Sequence, residues 1–402
     1  MLLNGVKVIE HATYFAGPGA GGILADWGAE VIKIEPPGGD PVRGNFDTRG
    51  SGRERLSDNP AFDADNRGKR SIVIDARQEA GREAIRRLAD GADVFLTNVR
   101  PGGIERSGLS YEILSARNPR LVYCAVTGYG LEGPDANRPG FDIASFWSRA
   151  GIARLTAPRG AELFPIRTAA GDHTTSIAAV AAINAALIEA LKTGRGRLVD
   201  VSLLRTGLYT ISTDLAIHLF FGRIASTRAR KEAYNPLSNF FRTRDDCWIC
   251  LVARSGTTDL PRIERALDLP GLSSDPRLAS MASRRDAAPE ITALFDAAFA
   301  RFTREEIAER LDREELAWAP AQSLAEVAED PQVAAAGGIV DMPSKTPGET
   351  FRSPAGPARF VGADEGPQGP APALGEHTRE ILSAAGYSSG EIEGLLASGA
   401  AA

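Results

Sequence analysis

Over its first 130 residues the chain switches repeatedly between two hydrophobic periods, and that alternation limits the fold more than any other feature. Short runs rich in β-branched residues stand at 6–10, 30–35 (EVIKIE), 71–75 (SIVID), 93–97 and 121–126. Between them lie segments with helical spacing, at 18–27, 78–89 and 111–116. Strand and helix in alternation predict an α/β fold with a doubly wound, mainly parallel, Rossmann-like sheet and right-handed crossovers. Ligands of such a sheet sit at the carboxyl ends of its strands. Here those ends are the loops at 11–17, 36–43, 98–103 and 127–130.

Further on, an apolar helix is expected over 174–192, stopped by Thr193-Gly194-Arg195-Gly196, and a second long helix over 201–221. Residues 38–67 read as a Pro/Gly/Asp-rich loop and a polar stretch. The expected division is a large domain over 1–221, a basic, polar linker over 222–236, and a smaller α+β domain over 237–330. The smaller domain opens on a strand at 248–253, continues through helices near 286–301 and 304–311, and closes with 324–328. Residues 331–402 read as a linker and a C-terminal segment returning to the large domain. They include a Gly- and Pro-rich part (337–372) with strand-like pieces such as 358–361, and a final SGAAA expected to fray.

Composition narrows the partners. A formal net charge of −6 leaves no general basic face for nucleic acid, although local arginines can still hold an anionic small molecule. The longest apolar run, 177–191, is broken by Asn184 and Glu189 and is too short to span a bilayer, so no membrane contact is expected. No secretory signal is read at the N-terminus, and three cysteines do not make a disulfide framework; both suit a cytoplasmic protein. Cys247 and Cys250 fall in the strand-like DDCWICLVA, where residues three apart face opposite sides. They are expected to be buried thiols, and no metal site is expected.

Two stretches carry candidate chemistry. Gly17-Pro18-Gly19-Ala20-Gly21-Gly22 satisfies G-x-G-x-x-G between a strand and a helix, with Glu35 ending the next strand, as in dinucleotide-binding enzymes. An NAD-dependent oxidoreductase is therefore one alternative. Against it stand the seven-residue loop before Pro18, the N–H that Pro18 lacks, and the want of a Tyr-x-x-x-Lys pair. The glycines are expected instead to let a helix pack closely on the sheet. The other stretch is 168–197, opening Gly171-Asp172-His173-Thr174-Thr175. Asp172 reads either as an ordinary N-cap or as a carboxylate nucleophile. In the second case the helix dipole would favour its ionised form by about 0.3–1 kcal/mol, and Gly171 would leave room for a large substrate.

Several segments, in order, resemble the class III CoA-transferase family, which includes carnitine-, bile-acid- and formyl-CoA transferases and α-methylacyl-CoA racemases. They are G-V-K-V-I-E…A-G-P (5–18), L-A-D-W-G-A-E-V-I-K-I-E-P-P-G-G-D (24–40), N-R-G-K-R-S-I-V-I-D (66–75) and A-D-V-F-L-T-N-V-R-P-G (92–102). G-L-S-Y-E…N-P-R-L-V-Y, T-G-Y-G…G-P-D, G-D-H-T-T, T-G-R-G-R-L-V-D-V-S-L-L and the late L-G-E-H-T-R-E-I-L follow. The resemblance implies an acyl-CoA:carboxylate CoA-transferase in which Asp172 attacks the thioester, giving an anhydride and then an aspartyl-CoA thioester. It implies CoA contacts from Tyr14, Phe15, Ala16, Lys69, Asn98, Val99 and Arg106, with Arg67, Arg70 and Arg100 as further cations near strand ends. Where a relative uses an arginine after the second strand this chain has Pro36, so that contact is either missing or supplied by Arg43. Phe141, Asp142 and His173 are the implied substrate-side residues. Racemase relatives have His where Phe141 stands, so an acyl-CoA racemase, or an isomerase moving CoA within one molecule, is the nearer alternative. Residues 234–241 lack the glycine run of formyl-CoA transferases. No tightly bound cofactor is implied; coenzyme A and acyl-CoA enter as substrates. The resemblance also implies an interlocked homodimer, the chain crossing near 222–234 and 330–348.

Overall fold

A computed structural model describes residues 1–44, 59–164, 166–167, 169–254 and 257–402. Residues 45–58 of the expected polar stretch, and Thr168, lie outside them. Strands β1 (Lys7–His11), β2 (Glu30–Glu35), β3 (Arg70–Val73), β4 (Val94–Thr97), β5 (Val122–Thr127) and β6 (Leu198–Ser202) form one sheet. All pair in parallel, in the order β3-β2-β1-β4-β5-β6. Neighbouring residues face opposite sides: Val8, Val94, Val122 and Cys124 enter one core, Ile9, Ile32, Phe95 and Tyr123 the other. Cover on both faces explains why these strands are apolar throughout rather than alternating.

Helices α1 (Ala16–Asp26), α2 (Pro60–Asn66), α3 (Glu79–Asp90), α4 (Pro101–Ser107) and α5 (Tyr111–Arg117) connect the first five strands. After β5 come a π-helical segment (Ile143–Arg149), α6 (Ile152–Leu155) and α7 (Ala170–Thr193); α8 (Leu203–Thr210) and α9 (Ser212–Phe221) follow β6. The single helix expected over 201–221 is thus the end of a strand and two helices. Ser202 closes β6 and caps α8 by accepting the Arg205 N–H at 3.1 Å. Gly196 lets β6 approach: a Cβ there would lie 2.0 Å from the Leu121 carbonyl oxygen. By length and composition α7 is able to cross a membrane, which the interrupted 177–191 run did not suggest. Its Ala179, Val180, Ile183 and Ala186 lie in the first core, and α1 packs along it.

Contacts divide the chain into two units, one of 1–152, 165–223 and 334–402, the other of 153–164 and 224–333. The second has an antiparallel sheet of β7 (Asn239–Arg242), β8 (Trp248–Val252) and β9 (Ala317–Pro320). Helices α10 (Leu260–Leu267), α11 (Met281–Asp286), α12 (Ala288–Phe299), α13 (Arg304–Arg313) and α14 (Leu324–Glu329) accompany it. Phe241 stacks on Phe299 at 4.8 Å in its core. Cys247 and Cys250 are unpaired and half-buried, more open than expected.

Helix α15 (Pro331–Ala335) leads back to the first unit. There β10 (Ile339–Pro343) and β11 (Thr350–Pro354) form a hairpin, and α16 (Thr378–Ala384) and α17 (Ser389–Ala397) cover the second core. The strand-like piece at 358–361 is not a strand. Its Phe360 packs edge-on against Trp27 at 5.1 Å while Val361 points to solvent, and Pro357 before it has no N–H for a ladder. Nor does the tail fray: the Asp75 N–H donates to the Ala400 carbonyl at 2.9 Å and Ile74 bridges Ala401. The free edge of the sheet beyond β3 supplies the partners that an isolated tail lacks.

Candidate active site

In this strand order the connections from β1 and β4 leave in opposite directions, opening a crevice at their carboxyl ends. Asn98, just after β4, straps the loop after β1 across it: its Oδ1 accepts the Thr13 N–H at 3.1 Å and its Nδ2 donates to the Thr13 carbonyl at 2.6 Å. Asp40 holds the next residue, accepting the Tyr14 N–H at 3.2 Å and the Val42 N–H at 3.0 Å. Tyr14 is thereby kept at φ 65°, a left-handed conformation uncommon for an aromatic residue, with its ring edge-on to Phe141 at 5.5 Å.

Under this loop lies a closed ionic network. Lys33 meets Glu10 at 3.0 Å and Asp40 at 2.9 Å, and Lys69 meets Glu10 at 2.6 Å, with all four side chains fully shielded from solvent. Lys69 also donates to the Pro18 carbonyl. Burial brings the Lys69 amine down to about 8 and the neighbouring His11 imidazole to about 4, so His11 is neutral.

The G-x-G-x-x-G residues lie inside α1, not in a phosphate-binding turn. A Cβ at Gly19 would lie 2.6 Å from Ser176 Oγ, one at Gly21 1.9 Å from Glu10 Oε2, and one at Gly22 2.7 Å from the Asp65 carbonyl. The glycines let α1 sit tightly between α7, the sheet and α2. Glu35, the would-be ribose ligand, is buried and bound by Arg43 and Ser71. That arrangement removes the dinucleotide reading.

Helix α7 begins at Ala170, four residues before the expected start, after Ala169 at φ 77°. Asp172 is therefore not the N-cap but a residue of the first turn. An orphan N–H at this terminus, that of Gly171, is taken by Asp142 Oδ1 at 3.1 Å. A Cβ on Gly171 would fall 2.2 Å from that same oxygen. Asp172 is 8% exposed and lines a cavity of about 480 Å³ together with Tyr14, Phe15, Asn98, Arg100 and Phe141. Burial first, then the Asp142 charge, push its carboxyl up to about 7, with His173 opposing. The dipole expected to keep it ionised contributes about 1 kcal/mol, less than one pH unit, and is outweighed. Asp142 is also raised, by burial, against the N–H groups of Ala169 and Gly171. A shielded carboxyl titrating near neutrality beside a cavity has the basicity expected of a reacting group.

Of the residues picked from sequence, Tyr14, Phe15, Ala16, Asn98, Phe141, Asp142 and Asp172 meet around this one cavity. His173, next along the helix, turns to Asp65, its Nε2 3.2 Å from Asp65 Oδ1. Val99 lines a separate hollow of about 470 Å³ at the ends of β1 to β4, with His11, Pro37 and Asp75. Lys69 is enclosed in the network, and Arg106 lines neither space. Arg67 is bound to Asp26 at 2.5 Å, Arg70 to Glu30 and Glu380, and Arg43 to Glu35. Among the expected cations only Arg100 faces the main cavity, joined there by Arg138, which no motif had marked.

Known proteins are similar to this chain over nearly its whole length. The chain is 30% identical over 397 residues to an (R)-2-hydroxy-4-methylpentanoate CoA-transferase of Clostridioides difficile, covering 98% of this chain and 97% of the relative. It is 31% identical over 397 residues to a cinnamoyl-CoA:phenyllactate CoA-transferase of Clostridium sporogenes, covering 98% and 96%. The crystal structure of a CAIB/BAIF family protein from Brucella suis superposes with a TM-score of 0.82 at 31% identity, over 95% of this chain and 99% of that one. Residues 3–378, the stretch that builds both the sheet and the cavity, match the model of CoA-transferase family III, and the chain belongs to that family.

Proposed function

We propose that this CoA-transferase moves CoA from an acyl-CoA to a carboxylic acid with Asp172 as the nucleophile. One observation carries the assignment: a carboxylate freed from capping by Asp142 and raised to about 7 by burial opens into the 480 Å³ cavity. An Asp172 oxygen attacks the thioester carbonyl, the C–S bond breaks, and an anhydride and CoA thiolate result. The thiolate then attacks the aspartyl carbonyl of the anhydride, expelling the donor acid and leaving an aspartyl-CoA thioester. The acceptor carboxylate repeats the sequence in reverse and leaves as the new thioester. Anhydride and thioester are both activated acyl groups, so one hard transfer becomes several of similar energy.

Coenzyme A enters as a substrate. Tyr14, Phe15, Ala16 and Asn98 form the wall along which it would lie, Val99 the hollow beyond, with Arg100 and Arg138 as the cations nearest that wall. Phe141 and Asp142 face the acyl group. Phe141 offers no proton, which speaks against α-proton exchange at that position. The enzyme would act as a homodimer: α9 buries none of its residues, and Leu219 (75%), Phe220 (81%) and Phe221 (67%) stand open to a second copy.

Asp172→Ala is expected to lose at least ~10³ of turnover, about 4 kcal/mol of barrier, while remaining folded. A screen of acyl-CoA donors against carboxylic acids, read by mass spectrometry, supplies the substrate pair. Hydroxylamine trapping of the labelled enzyme should then tag the peptide carrying residue 172. A tag elsewhere, or near-normal transfer by the variant, rejects the assignment.

A further inference from the structure

Asp172 shares its surroundings with two other carboxylates and one imidazole, and the imidazole has a keeper. Asp65 comes from α2, is 7% exposed, and sets its two oxygens 3.2 and 3.3 Å from His173 Nε2. A carboxylate only accepts, so that nitrogen carries the proton. The Phe15 ring stands edge-on to the imidazole at 6.3 Å. Gly19 leaves it space, since a Cβ there would come within 3.4 Å of His173 Cδ2, and Gly22 lets α2 close on α1 and bring Asp65 across. The glycine motif of α1 thus fixes a contact between α2 and the start of α7.

The charges around Asp172 do not balance. The charges of Asp142, in the turn before the π-helical segment, and of Asp65, on α2, both act on it. Behind Asp65 the Lys69 ammonium is engaged by Glu10. On α1, which runs along α7, Asp26 is bound to Arg67. Cys124 on β5 and Asp200 on β6 act on each other, and Arg205 lies on α8. Among these groups His173 is the cation that acts on Asp172.

We propose that Asp65 is a positioning residue acting through His173: it holds the imidazole protonated beside Asp172, and that cation keeps the nucleophile ionised despite the Asp142 carboxylate. The proposal rests on Asp172 being the nucleophile. It also accords with His173 drawing its raised affinity for protons first from the Asp65 hydrogen bond.

The test is a titration of the carboxyl carbon of Asp172 and of the His173 ring by NMR in the full chain. His173→Asn should move the Asp172 midpoint upward by about one pH unit or more, and Asp65→Asn should move the His173 midpoint downward by a similar amount. With the screened donor and acceptor, kcat/KM of His173→Asn should fall about tenfold at pH 6 and less than about twofold at pH 9. His173→Lys, which keeps a cation, should retain more of the pH 6 rate than His173→Asn. An unmoved Asp172 midpoint in His173→Asn, or a loss equal at both pH values, overturns the proposal. That failure is distinct from failure of the nucleophile: Asp172→Ala would be inactive in the first case and active in the second.

Discussion

Glu10 and Asp172 are both shielded carboxylates, yet the protein uses them in opposite ways. Burial pushes Glu10 up, but Lys69 and Lys33 at 2.6 and 3.0 Å together bring it below the ordinary carboxylate range. Asp172 has another carboxylate for a neighbour and only a half-exposed imidazole to offset it, so it rises to about 7. Shielding from water is common to the two; the identity of the partner decides the outcome. The balanced group lies in the network beneath the first loop, and the unbalanced one lines the cavity.

The largest effect that would break this contrast is on stability. Glu10→Gln strands Lys33 and Lys69 without their shared partner and should cost about 3–5 kcal/mol in urea unfolding. A cost below about 1 kcal/mol would make the network dispensable. The sign of the pH dependence sharpens it further. Glu10 has a lowered folded value, so its contribution is present above its unfolded value and is lost as pH falls through the folded one. Asp172 is raised from 3.8 to about 7, so folding is penalised progressively as pH rises between those values. Asp172→Asn should therefore gain on the order of 4 kcal/mol at pH 8 and almost nothing at pH 4. Equal changes at both pH values would refute the raised value. The smallest effect concerns the packing of α1 against Glu10. Gly21→Ala, whose methyl would meet Glu10, should cost ~1–3 kcal/mol. Gly91→Ala, with nothing within 4 Å, should stay within about 0.5 kcal/mol on the same measurement.

Five of the six parallel strands could be read from their β-branched runs, because a strand covered on both faces needs no help from its neighbours to be recognised. The sixth could not. Leu198–Ser202 is short and flows directly into helix α8, so its apolar residues merged with the helical pattern that follows. Asp172 was visible through its Gly-Asp motif, whereas Asp65 sits 107 residues earlier in a stretch read as polar loop, and nothing local ties it to His173. Arginines carried the poorest signal. Arg67, Arg70 and Arg43 resemble Arg100 as sequence, but ion pairs formed across the fold consume three of them and leave the fourth facing the cavity.

Local periodicity by itself dictated the parallel sheet, the sites of its loops and the helix that carries Asp172, since each depends on which residues avoid water along a few turns or one strand. Which acids found cations, and which were left beside other acids, was settled only when α1 closed against α2 and α7. Electrostatic energy in a shielded site depends on distances of a few ångströms between residues far apart in the chain, and folding alone sets those distances.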